Sequence, residues 1–288
     1  MRASIPAHRG TVTALAFAED GEVLISGGTD GRVRMWDVAD GRARGEFEVD
    51  SGVSSLAMSP SGTRLVVGCR RAGCSVWSYP EGARLSTMRN HRKPVFTVNV
   101  APSGLIAVSG SYDGTVRLWE MDGCAELDSM MNDRRRTAGA VFTPDGEYLV
   151  TAGFGGAVGV WTVPGMELLR AVQCHETAVY PPVFSPDGRI MVTHGPDQRV
   201  RFWSTAEWQY AGELLLAHRG DLHVAFGRTL IAASRSTLWD IDATAPGISS
   251  EHELPCRKVS SLKAAEDDPM VAVGTREGRV LLLELTKN

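Results

Sequence analysis

Three histidines in this chain are each followed, at the same two distances, by a hydroxyl and a carboxylate. His8 stands 18 residues before Ser26 and 22 before Asp30. His91 stands likewise before Ser109 and Asp113, and His175 before Thr193 and Asp197. Such groups are the parts of nucleophilic catalysis, in which an imidazole held by a carboxylate takes the proton of a hydroxyl. A tryptophan closes each set six residues after the carboxylate: Trp36, Trp119 and Trp203. Three identical active sites in one chain would be odd. A repeated buried hydrogen-bond network explains the same residues, because polar groups inside a protein must be paired.

Other chemistry has less to stand on. His252-Glu253-Leu254-Pro255-Cys256, and Cys69 with Cys74, lack the four-ligand spacing of a structural zinc site. No G-x-x-x-x-G-K-[ST] loop, H-E-x-x-H helix or G-x-S-x-G elbow occurs. Gly153-Phe154-Gly155-Gly156 imitates a phosphate cradle, but no helix follows it. The reading is therefore of a chain that is not an enzyme and carries no cofactor or metal.

The elements that hold these residues are set by a repeat. Trp36, Trp77, Trp119, Trp161, Trp203 and Trp239 are spaced 41, 42, 42, 42 and 36 residues apart, and Leu283 follows 44 further on. In the first unit Thr11–Phe17 reads as a strand a and Glu19-Asp20-Gly21 as a turn. Leu24–Gly27 is a strand b, Asp30-Gly31 a tight turn, Val33–Asp37 a strand c and Ala43–Phe47 a strand d. A period of about 40–45 residues with four strands per unit is the signature of a β-propeller blade, since one blade cannot bury both faces alone. Seven units fit: near 9–50, 51–90, 91–132, 133–174, 175–217, 218–251 and 252–288, in one domain over 1–288. The last unit supplies three strands, so residues 2–7 are expected to close the ring as its fourth strand, removing an exposed edge.

With Ser109-Gly110-Ser111-Tyr112-Asp113-Gly114-Thr115-Val116-Arg117-Leu118-Trp119-Glu120 and Phe184-Ser185-Pro186-Asp187-Gly188 in register, the chain resembles the WD40 repeat family along its whole length. The resemblance implies that each His, Ser or Thr, Asp and Trp set is a structural tetrad joining the d–a loop, strand b, the b–c turn and strand c. Complete tetrads fall in units one, three and five. Unit two has Val67 and Arg71 at the Ser and Asp places; unit four keeps Thr151 but has Asp133 for His and Gly155 for Asp. Unit six is three residues shorter in each hairpin, counted to Trp239. Unit seven has Val273, Glu277 and Leu283.

Composition is that of a folded soluble domain: 43% hydrophobic and 22% charged, with a net charge of −4 that draws neither nucleic acid nor an anionic membrane. No apolar run reaches membrane-spanning length, the N-terminus has no signal core, and the five cysteines are scattered. The expectation is a cytoplasmic protein with reduced thiols, either a monomer or a subunit of a hetero-complex.

Charge is locally uneven. In a WD40 ring the d–a and b–c loops share one rim, the top, and here they carry Arg70, Arg134, Arg135, Arg136, Lys258 and Arg276. The opposite rim collects acids such as Asp20, Asp145, Glu147 and Asp267. Aligning the repeats puts Arg70, Tyr112, Phe154 and Arg276 at the site equivalent to Thr29. Phe96 and Tyr180 align with Thr13, and Arg136 and Lys258 with Thr11. Arginine fixes an anion while aromatic residues supply contact area. The expected function is a protein-interaction scaffold taking an acidic peptide segment of a partner on this rim. Nucleic acid on the same arginines is the alternative, set against the net charge and the absence of a dedicated motif. Tyr180-Pro181-Pro182 is placed inside a strand a, and Trp208 is read as blade-edge packing or a partner anchor.

Overall fold

The computed structural model describes residues 1–18, 21–71, 73–132, 136–216, 221–265 and 268–285. Expectations resting on Glu19, Asp20, Asp133, Arg134, Arg135 and Asp267 lie outside the described residues. Within them the chain is all-β, with 28 strands in seven antiparallel four-stranded sheets: the blades of a seven-bladed β-propeller.

Blade one shows how the residues make the unit. Its strands are Val12–Ala18, Val23–Gly28, Arg32–Asp37 and Ala43–Glu48. Strand b is buried throughout because it has a neighbour on both sides and both faces covered. Strand d is mostly exposed, as the outermost strand must be. Asp30-Gly31 turns strand b into strand c with Gly31 at φ 75°, a left-handed conformation that favours glycine.

The chain forms two compact units, residues 54–182 and residues 1–53 with 183–288. The first holds blades two to four. There Gly139, in strand a of blade four (Thr137–Phe142), lies against Pro181, and a Cβ on it would come within 2.6 Å of the proline Cα. Tyr180-Pro181-Pro182 is not strand, contrary to expectation. Strand a of blade five is only Val183–Phe184, paired with Val192 and Met191, since a proline brings no N–H to a ladder.

The second unit holds blades one, five, six and seven. Ala3–Pro6 pairs antiparallel with Arg279–Glu284, from Ala3 opposite Leu282 to Pro6 opposite Arg279, and completes blade seven as expected. Ile5 and Ala7 enter a core with Trp36, Val280 and Leu282.

Blade six departs from the expected register. Across blade one Phe17, Leu24, Trp36 and Ala43 lie side by side; across blade six the same row is Phe226, Leu230, Ile241 and Ile248. Ile241, not Trp239, therefore takes the place of Trp36, and it stands 42 residues before Leu283. The a–b hairpin is indeed three residues shorter, but the b–c hairpin only one, closing on Arg235 at φ 51°. Trp239 is buried where blade one has the half-buried Arg34. Trp208 is 8% exposed and so is packed rather than presented.

Candidate functional site

Buried polar chemistry in the blades is structural in geometry. His8 Nδ1 lies 2.9 Å from Asp30 Oδ1, and its Nε2 lies 2.8 Å from Ser26 Oγ. Trp36 Nε1 donates to the same Oγ at 2.8 Å. Blade three repeats this: His91 Nδ1 to Asp113 at 3.1 Å, Nε2 to Ser109 at 2.7 Å, and Trp119 Nε1 to Ser109 at 2.7 Å. An ionised Asp can only accept, so Nδ1 carries the proton and Nε2 accepts from the serine. Burial lowers the pKa of His91 below 6.5, against the pull of Asp113, so the imidazole is neutral. Burial alone would raise Asp113, but hydrogen bonds from Thr115 and the Arg92 and Thr115 amides hold it at about 2. Ser26 and Ser109 are fully buried with an indole N–H on each hydroxyl, which leaves no approach for a substrate.

Blade five keeps Trp203 Nε1 on Thr193 at 2.9 Å and Arg201 on Asp197 at 2.7 Å, and His175 is 2% exposed. The incomplete blades solve the same problem differently. In blade two Val67 stands directly opposite Ser75, and Ser75 Oγ accepts from Trp77 Nε1 at 2.8 Å. The hydroxyl has crossed from strand b to strand c. In blade four Thr151 accepts from Trp161 at 2.8 Å and donates to Asn132 Oδ1 at 2.6 Å, so Asn132 serves where Asp133 was expected. Sequence reasoning also missed the strand-c arginines. Arg34 pairs with Asp30 at 3.1 Å and Glu46 at 2.7 Å, and Arg117 with Glu126 at 2.6 Å. Their spacing before each Trp was the available signal.

The expected partner site resolves into separate groups. In residues 54–182 the rings of Phe96 and Tyr112 stack at 5.2 Å and 17°. Phe154 meets Tyr112 edge-on at 6.1 Å, and Arg136 lies over Tyr112 at 4.8 Å and Phe154 at 5.9 Å. The backbone sets this up. Phe96 falls where the ladder shifts register between Val95 and Thr97, a bulge that re-aims a side chain. Thr13 and Ser260, at the same place in their blades, instead bond the carbonyls of Val53 and Val12 at 2.7 and 2.6 Å. A phenyl ring cannot make that bond and stacks. The Tyr112 and Phe154 amides bond the carbonyls of Pro94 and Arg136, which brings Arg136 beside the rings.

Arg136 is exposed and makes no ion pair among the described residues. Arg70 is exposed and Tyr180 half-buried.

Lys258 and Arg276, in the other unit, obey the same backbone rule, with the Arg276 amide on the Lys258 carbonyl at 3.0 Å. Both are held by Asp221, at 3.3 and 3.1 Å. Asp221 was not anticipated. Beside them burial lowers His223 to about 4, opposed by Asp221 and aided by the two cations.

Residues 1–37, 43–78 and 82–120 each match the family described as "WD domain, G-beta repeat". With the seven blades already in place, that decides the family. The chain is a WD40-repeat β-propeller. Similar proteins include the Arabidopsis thaliana small ribosomal subunit protein RACK1z, 32% identical over 77 residues, 27% of this chain and 23% of that protein. The Caenorhabditis elegans ribosome biogenesis protein BOP1 homolog is 43% identical over 61 residues, 21% of this chain and 9% of its own length. The Schizosaccharomyces pombe periodic tryptophan protein 2 homolog is 32% identical over 84 residues, 29% and 10% respectively. The WD40 chain thus matches less than a quarter of each of these relatives. No described helix is long and apolar enough to cross a membrane.

Proposed function

We propose that this WD40 propeller is a non-catalytic scaffold that binds an acidic peptide segment of a protein partner through Arg136, Phe96, Tyr112 and Phe154. One observation carries the reading: an exposed guanidinium, with no carboxylate partner among the described residues, is stacked on Tyr112 and Phe154. Stacking fixes the fork of donors in advance, and the rings beside it offer area to an apolar neighbour of the acid. Arg70 and Tyr180 extend the proposed surface. Lys258 and Arg276 form a second basic spot, which an acidic ligand would have to win from Asp221. The relatives named above include a ribosomal-subunit protein and a ribosome-biogenesis protein, and this supports protein partners without choosing one. All five cysteines are thiols, in keeping with a cytoplasmic setting.

The test is fluorescence anisotropy with a library of labelled peptides carrying Asp or Glu beside an apolar residue. Binding lost in Arg136→Glu and in Tyr112→Ala/Phe154→Ala, with folding intact, is the expected result. Binding indifferent to both would remove the site from this surface.

A further inference from the structure

Blade six carries a carboxylate where every other blade has a buried apolar side chain. The residue before the strand-c Trp position is Met35, Val76, Leu118, Val160, Phe202 and Leu282 in the other six blades, each at most 6% exposed. By the register of both ladders its counterpart in blade six is Asp240, one before Ile241 and opposite Ile231. Asp240 Oδ1 is buried and accepts no hydrogen bond among the described residues. Asp242, at the place of Asp37, caps the following turn, taking the amides of Thr244 and Ala245 at 2.8 and 3.1 Å. Asp240 therefore has no structural duty there.

The same carboxylate lines a cavity of about 380 Å³ between the a–b hairpins of blades six and seven, within one compact unit. Two local changes coincide at this cavity. The a–b hairpin of blade six is three residues shorter than that of blade one, and an apolar side chain has given way to a shorter polar one. Ile231, Met270 and Leu285 furnish apolar wall, Asp268 adds a second carboxylate, and Arg228 stands exposed on the lip. Arg228 forms no ion pair with either acid among the described residues. Asp240 is half-buried, and its shielded Oδ1 has no donor among the described residues; a carboxylate oxygen so placed beside open volume favours a cation.

We infer that this cavity is a binding pocket for a basic side chain of a protein ligand, its aliphatic stem against Ile231, Met270 and Leu285 and its cationic head on Asp240. Its volume falls in the range of small-ligand sites, roughly 300–1,000 Å³, and suits one arginine or lysine side chain. The pocket is independent of the Arg136 surface, because it rests on other residues and the opposite charge.

The experiment is titration of the whole chain with N-acetyl-argininamide and N-acetyl-norleucinamide, followed by the amide shifts of Thr229, Ile231 and Met270. The arginine probe is expected to give saturable shifts there and to bind at least tenfold more tightly than the norleucine probe. Asp240→Asn, nearly isosteric, should weaken the arginine probe at least tenfold, and Asp240→Leu should abolish its binding while raising the melting temperature. Equal affinity for the two probes in the unaltered protein would overturn the inference without recourse to any variant. So would arginine binding unchanged in Asp240→Asn, or no saturable shift at these amides.

Discussion

Thr151 Oγ1 donates a hydrogen bond to Asn132 Oδ1 at 2.6 Å while accepting one from the indole N–H of Trp161 at 2.8 Å. An amide thus does for blade four what an imidazole does for blade three. The two differ in what else they hold: His91 also meets Asp113 and so ties the b–c turn, whereas Asn132 Nδ2 makes long bonds to Thr137 Oγ1 and the Ala152 carbonyl, at 3.4 and 3.3 Å.

His91→Ala or Asp113→Asn should therefore lower stability by about 1–3 kcal/mol, because each strips a buried partner from the network. Asn132→Ala removes the acceptor of Thr151 and two long bonds from Nδ2, to Thr137 Oγ1 and the Ala152 carbonyl, and should cost about 1 kcal/mol. Urea melts giving no loss in Asp113→Asn would show that the turn contact adds nothing.

Acid should destabilise the protein in two stages. His8 and His91 have folded pKa values below 6.5, chiefly through burial, so the unfolded chain takes up their protons first. Their contribution is whole above about 6.5 and falls as pH drops toward the folded values. Asp113, at about 2 against an ordinary 3.8, adds loss of the same sign below pH 3.8. The urea midpoint is expected to be lower at pH 5.5 than at pH 7.5, with a smaller difference in His91→Gln; a midpoint that rose on acidification would refute the assignment.

Gly159 offers a substitution whose sign runs against propensity. A glycine in a strand is ordinarily improved by alanine, but a Cβ here would come within 2.6 Å of Trp161 Nε1. Gly159→Ala should cost about 1–3 kcal/mol by overpacking, seen as a lowered melting temperature. Open strand positions elsewhere should tolerate the same change.

Deleting residues 1–7 removes the partner of Arg279–Glu284 and opens a sheet edge beside a core of Ile5, Val280 and Leu282. Aggregation or marked loss of stability is expected by light scattering and thermal melts. A truncated protein that stayed monomeric with unchanged melting would show the strand to be dispensable.

Salt separates the two ligand classes weighed for the basic surface. An acidic peptide engaging one or two arginines should lose affinity gently with ionic strength, whereas nucleic acid loses it steeply and linearly in log salt. A steep slope that Tyr112→Ala leaves unchanged would favour nucleic acid.

The blades, the closing strand and the tetrads of blades one and three were legible because each rests on periodic residue types. Asn132 and Ser75 were not, since their roles depend on which atom a fold brings across a ladder, and Ser75 does from strand c what Ser26 does from strand b. Trp239 misled for a related reason: tryptophan marks the repeat by type, while register is fixed by pairing, and the pairing chose Ile241. Tyr112 and Phe154 came out as neighbours because both sit at one repeat position in adjacent blades. Lys258 and Arg276 were found as cations, but Asp221, in the d–a loop before strand a of blade six, lay where no repeat position pointed.

Arg279 Nε donates to Ser4 Oγ at 2.9 Å across 275 residues of chain. Such a contact carries a loop-closure entropy roughly 3 kcal/mol above that of a hairpin of a dozen residues. Blades one to six can each form from neighbouring sequence, whereas blade seven must wait for its earliest-made strand to find its latest. The seam is therefore expected to be the slow step of folding, with Ala3–Pro6 open to proteases and chaperones until residues 279–284 are made.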